Sequence, residues 1–173
     1  MEVIMKVRSG KTRIVLVCGD NAYKIGKLRP IRLFFRMLIF PFLSKGNHER
    51  FYTRYGATLF MAMWNYLVAG KIANEREYRY FSSTHDARVM PTVGRVLGGW
   101  IVIQKRGEKI SARELGRENP FDGLPIDPQF LERNQPWQFC RNEKGKVVLV
   151  DYGRKETCAA LLKTLKLEDT SCV

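Results

Sequence analysis

The sequence predicts an α+β fold in which antiparallel strands, early and late in the chain, bracket a helical unit. Three observations predict it. Runs of β-branched residues between positions 3 and 25 are broken by turn residues, Phe51, Tyr55, Leu59, Met63 and Leu67 recur at every fourth position, and two hairpin patterns follow, around Gly98-Gly99 and across Asn142-Glu143-Lys144-Gly145. With 173 residues, 45% of them hydrophobic, the chain has the apolar content for one core of its own and is read as a single domain, 1–173.

The elements follow in order. Val3 to Val7, Arg13 to Cys18 and Ala22-Tyr23-Lys24-Ile25 read as three antiparallel strands, with Gly19-Asp20-Asn21 supplying the second turn. Ile31 to Phe40 is densely apolar with arginines four apart, a short basic helix that Pro41 interrupts. The four-residue period beyond Gly46 predicts one long amphipathic helix toward Gly70, and a further helix begins near Asn74. Val89 to Gln104 alternates about Gly98-Gly99 as a hairpin. Gly107 to Asn134 is dense in Gly, Pro and Asp, a loop with a short helix around Ser111 to Leu115. Trp137 to Arg141 and Lys146 to Val150 form the last hairpin, and Cys158 to Leu165 the last helix.

Composition narrows the function classes. Cys18, Cys140, Cys158 and Cys172 form no C-x-x-C pair, which argues against a zinc site or a disulfide framework and for a reduced compartment. The start lacks a signal-peptide run and no stretch reaches the ~18 apolar residues of a spanning helix, so the expected location is the cytoplasm. Thirty Lys and Arg against seventeen Asp and Glu give +13, a field that attracts phosphates on nucleotides, nucleic acid or anionic lipid without choosing among them. His48 and His85 stand far apart and define no acid–base or metal pair.

Strands first, a lysine on the third, a helix carrying a carboxylate, a second hairpin and a late hairpin ending in Asp151-Tyr152-Gly153 form an order of parts that resembles the protein kinase superfamily. The strongest part is the run Leu131 to Gly153, which lies without gaps on the kinase catalytic loop, hairpin and D-F-G segment. The resemblance implies a kinase-like fold: an N-lobe at 1–104 with a helical insertion at 30–70, and a much reduced C-lobe at 105–173. It implies binding of ATP and Mg2+, with Lys24 on the phosphates, Glu77 aiming Lys24, Asp151 on the metal and Gln138 as a second metal ligand. Gly10 and Lys11 would cover the phosphates from the first turn, and Gln104 would border the nucleotide at the hinge, Gln104-Lys105-Arg106.

Two departures qualify that resemblance. Arg133 stands where the proton-accepting aspartate belongs, and a general base is worth about 10²–10⁴ in rate. After Gly153 only twenty residues remain, too few for an activation segment or a peptide platform, so a full-size protein kinase is excluded. In scale the chain is similar to the small lipopolysaccharide- and sugar-kinase-like proteins. The function expected is a kinase-like ATP-binding protein, either a minimal phosphotransferase for an unknown protein or small-molecule acceptor, or a pseudokinase. A different class of reading fits the charge as well: a non-enzymatic basic module for nucleic acid or an anionic membrane, with Ile31 to Leu43 in the membrane interface and Lys24, Lys27, Arg29, Arg32 and Arg36 flanking it.

Overall fold

The computed structural model describes residues 6–42, 44–122 and 138–165. Its fold is α+β, built on a five-stranded antiparallel sheet. The first three strands, β1 (Lys6–Ser9), β2 (Arg13–Cys18) and β3 (Asn21–Gly26), form a meander. Its second turn is the pair Gly19-Asp20, and Gly19 takes φ 56°, a conformation that costs a residue with a Cβ. Strand β5 (Ile101–Lys105) lies against β3, and β4 (Thr92–Val96) closes the edge with a bulge between Thr92 and Gly94. The hairpin expected about Gly98-Gly99 forms, but its strands are joined by a 3-10 turn over Leu97–Gly99 and by Trp100 rather than by a two-residue Gly-Gly turn, and Leu97, Gly98 and Gly99 all take positive φ.

Between β3 and the helix that crosses the sheet lies the helical unit. Helix α1 (Pro30–Ile39) runs into a 3-10 turn at Phe40–Phe42, as the proline at 41 requires. The single long helix expected beyond Gly46 is instead two, α2 (Lys45–Tyr55) and α3 (Leu59–Leu67). Gly56 breaks it at φ 144°, ψ 159°, and the Thr58 hydroxyl accepts the Met61 amide at 3.3 Å to start α3 afresh. Phe51, Tyr55 and Met63 of the four-residue period reach one small core, but Leu59 is exposed, and the residues α3 buries there are Ala62 and Tyr66.

The next helix, α4 (Ala69–Thr84), begins well before Asn74, and Gly70 lies inside its first turn rather than ending its predecessor. A Cβ on Gly70 would stand 2.9 Å from the Gly26 Cα and from the Lys27 nitrogen, and would run into the Thr12 carbonyl. Gly70 and Gly26 let helix and strand backbones touch. Gly70, Asn74, Glu77 and Tyr80 are the buried residues of α4, three or four apart, so one stripe faces inward.

The second half supplies a three-stranded sheet, β6 (Glu108–Lys109), β7 (Phe139–Arg141) and β8 (Val147–Leu149). The last hairpin is as expected; β6 beside it was not, because a two-residue strand has no periodicity to read. Helix α5 (Ala112–Arg117) carries a full capping box between Ser111 and Glu114. Helix α6 (Lys155–Thr164) starts three residues earlier than the sequence predicts. The main core, Tyr80, Val89, Phe139, Leu149, Tyr152 and Leu161 among others, joins α4, the small sheet and α6. Arg88 ties the end of α4 to α6, bonding Asp86 at 2.7 Å and Thr164 at 2.8 Å. Cys18 and Cys140 are free thiols, and burial pushes Cys140 up to about 12. No described helix is long and apolar enough to cross a membrane.

Candidate functional site

Strand register puts Arg13 opposite Gly26 and Val15 opposite Lys24, so Arg13 and Lys24 project from the same face of the sheet. Helix α4 packs across that face. The Lys24 ammonium donates to Glu77 Oε2 at 2.7 Å and to the Val150 carbonyl at 2.7 Å. Of the two carboxylates in Asn74-Glu75-Arg76-Glu77, Glu77 thus reaches Lys24. Glu75 turns outward to Arg95, 2.7 Å away. Glu77 sits midway along α4 rather than in its first turn, so its place comes from helix packing and not from the helix dipole.

Arg13, which the sequence does not single out, joins the group. Its Nη1 donates to Glu77 Oε1 at 2.7 Å and to Asn74 Oδ1 at 3.3 Å, and its Nη2 bonds Asp151. Asn74 in turn donates to the carbonyls of Lys24, at 2.8 Å, and Trp100, at 3.0 Å, stitching α4 to β3 and to the start of β5. The legible signal was periodicity. Position 13 shares the inward face of β2 with Val15 and Val17, where a charged residue is out of place unless it has partners.

Asp151-Tyr152-Gly153 closes the site from the end of the small sheet. The Gly153 amide donates to Glu77 Oε1 at 3.2 Å, and a Cβ there would meet Ala73. Tyr152 is fully buried; its hydroxyl donates to the Met90 carbonyl at 3.0 Å and shares a hydrogen bond with Thr92 at 2.7 Å. The result is two cations and two carboxylates from β2, β3, α4 and the segment after β8. Glu77 is wholly buried and Lys24 nearly so, whereas the Asp151 side chain keeps 30% of its surface open. Asp151 is the face an approaching ligand would meet.

Burial and cross-talk set the charges. Burial works against ionised Asp151, but Arg13, Lys24 and Arg154 outweigh it and hold the carboxyl below its ordinary value. Burial also works against the Arg13 charge, and Glu77 with Asp151 reverses that effect and raises it. Lys24 is lowered, by burial first and by the repulsion of Arg13, with Glu77 opposing.

The remaining expected site residues divide. Gln104 is buried, its amide directed inward to the carbonyls of Met90 at 3.2 Å and Val150 at 3.3 Å, so it shares Val150 with Lys24 and offers no exposed edge. Gly10 and the exposed Lys11 form the β1–β2 turn next to Arg13, and the Lys27 ammonium pins that turn through the Gly10 carbonyl at 3.0 Å. Gln138 is buried, with its carbonyl accepting the Val150 amide at 2.7 Å. Arg133 and the rest of Leu131 to Trp137 lie outside the described residues.

The donor set does not fit magnesium as it stands. Mg2+ wants near-octahedral oxygen ligands, with one or two carboxylates beside phosphates and water. Asp151 is already bonded by a guanidinium, and no group of three or more His, Cys, Asp or Glu able to hold a metal occurs among the described residues. Comparison of the chain with family models, with curated proteins and with solved structures gives no match, so the site is read from its own geometry.

Proposed function

We propose that the chain is a kinase-like, pseudokinase-type protein that binds a nucleoside triphosphate such as ATP at the Lys24–Glu77–Asp151 cluster, with Arg13 supplying the positive charge a metal would bring. The observation that carries this reading is the 2.7 Å Lys24–Glu77 pair beside an Asp151 that is partly open. Ionic clusters buried this deeply are poor stabilisers, since apolar residues of equal volume would do as well, and their perturbed groups mark candidate sites. A triphosphate entering past Asp151 would exchange that carboxylate for its own oxygens on Arg13, beside the Lys24 ammonium, leaving the guanidinium doubly bonded. Magnesium would enter only by breaking the Arg13–Asp151 bond. Phosphoryl transfer is no part of the proposal, because Arg133 offers no base.

A thermal-denaturation titration with ATP, in excess EDTA and again with magnesium, tests this. A ligand at 100 times its Kd stabilises the fold by about 2.7 kcal/mol. The expected outcome is a rise in Tm that survives EDTA and shrinks in Lys24→Met to the rise that sulfate gives at the same ionic strength. A wild type that does not respond, or a Lys24→Met variant that responds equally, removes nucleotide binding from this site. A response that needs magnesium removes the role given to Arg13.

A further inference from the structure

Helix α1 has its apolar surface on the wrong side for a soluble helix. Only Leu33 packs inward, against the core of the helical unit, while Ile31, Phe34, Phe35 and Leu38 face outward, Ile31 at 71% exposure. On a helical wheel these four fall in one arc of about 100°, and Arg32 flanks it. The exposed apolar run continues into Phe42, 86% exposed, and recurs on neighbouring α3, where Phe60 is 82% exposed and Trp64 lies on the same arc. Seven large apolar side chains thus stand open on α1, the turn after it and the neighbouring α3, where exposed apolar residues of a soluble monomer are commonly scattered singly.

Charge selects the occupant. Across residues 30–67 the cations are Arg32, Arg36, Lys45, Arg50 and Arg54, against the single carboxylate Glu49. A second copy would bring the same cationic unit and a net +13 of its own, so like charges oppose self-association through this face. An anionic bilayer offers both complements at once: acyl chains for the phenylalanines and headgroup phosphates for the arginines. We propose that α1, with the exposed face of α3, is an interfacial membrane anchor that seats the protein on anionic lipid. The proposal does not depend on what the Lys24 cluster binds.

Flotation of the full chain with vesicles of phosphatidylcholine alone, and of phosphatidylcholine doped with phosphatidylserine, decides it. The expected result is binding to the doped vesicles that weakens as salt rises from ~0.1 to ~0.5 M. Replacing Phe34→Glu together with Leu38→Glu should lower the partition coefficient by about tenfold or more. Arg32→Glu should lower it several-fold on the anionic vesicles only. All three side chains are exposed, so Tm should hold, and the single arginine variant carries the test if the double variant fails to fold. The proposal is overturned if the wild type floats with neither vesicle, if it binds both equally, or if the variants float like the wild type. It is also overturned if lipid-free sedimentation shows a dimer that Phe34→Glu with Leu38→Glu dissociates, since a second copy would then cover the face.

Discussion

At Glu77 two cations share one carboxylate: Oε1 accepts from Arg13 and from the Gly153 amide, Oε2 from Lys24. Glu77→Gln keeps the shape and removes the charge, leaving Arg13 and Lys24 buried together with only the half-open Asp151 to balance them. Breaking a buried pair in this way costs about 3–5 kcal/mol. At about 2–4 °C per kcal/mol for a chain of this size, Tm should fall by roughly 6–20 °C. A loss under about 1 kcal/mol in urea denaturation would mean that water reaches the cluster. Asp151 makes a second prediction, of pH dependence. Its folded-state value lies below its unfolded one, so its stabilisation is fully present above the ordinary aspartate range and is lost as pH falls through the depressed value. The stability gap between wild type and Asp151→Asn should therefore be widest near pH 7 and close toward pH 3, as measured by urea titrations at both. Asp86 is also held below its ordinary value, against burial and chiefly by its hydrogen bonds from Arg88 and Tyr80, and adds a loss of the same sign as pH falls, which is why the comparison needs the variant and not the wild type alone.

Elements turn on where two backbones touch. At Gly70 a Cβ would meet Thr12, Gly26 and Lys27 backbone atoms, none of which can rotate aside. Gly70→Ala gains helix propensity of about 1 kcal/mol yet must push α4 off β3, an overpacking that costs about 1–3 kcal/mol or more. The net expectation is a destabilised chain with weakened Lys24–Glu77 pairing, seen as a lower Tm and poorer ATP response; a stabilised Gly70→Ala would mean that α4 does not sit this close. The same glycine shows how far the sequence could be read. Strands and hairpins were legible because alternation and turn residues are local, and Lys24, Glu77 and Asp151 were legible through a motif order. Gly70 read as a stop because a glycine between periodic segments looks the same whether it ends a helix or lets one approach a sheet. Gly56, which does interrupt the helix, is hidden by the apolar residues at 55, 59 and 63, whose four-residue spacing runs across the break although α3 turns Ala62 and Tyr66 inward and leaves Leu59 exposed. Arg13 is different again: alternation puts it on the inward face of β2, but its partners lie 64 and 138 positions away, so the pattern marks an odd charge without saying what it pairs with.

Across the whole molecule the charge is unevenly spent. The cluster at Lys24 balances two cations with two carboxylates, whereas residues 30–67 hold five cations against one carboxylate, and the total is +13. Self-repulsion on that scale destabilises the compact state and is screened as the Debye length contracts from about 30 Å at 0.01 M to about 8 Å at 0.15 M. Tm should therefore rise with sodium chloride over that range, and by the same amount in Lys24→Met, because a surface effect does not depend on a buried lysine. ATP is itself a polyanion and must raise Tm in part as a counter-ion. The comparison that separates the two effects holds ionic strength constant, with sulfate in one series and ATP in the other. If the cluster binds a triphosphate, ATP exceeds sulfate in wild type and the two coincide in Lys24→Met. If they coincide in wild type as well, ATP acts only on the basic surface. The buried cluster is then a structural tie between sheet and helix, and the exposed apolar face of α1, proposed above to seat on a membrane, becomes the remaining seat of function.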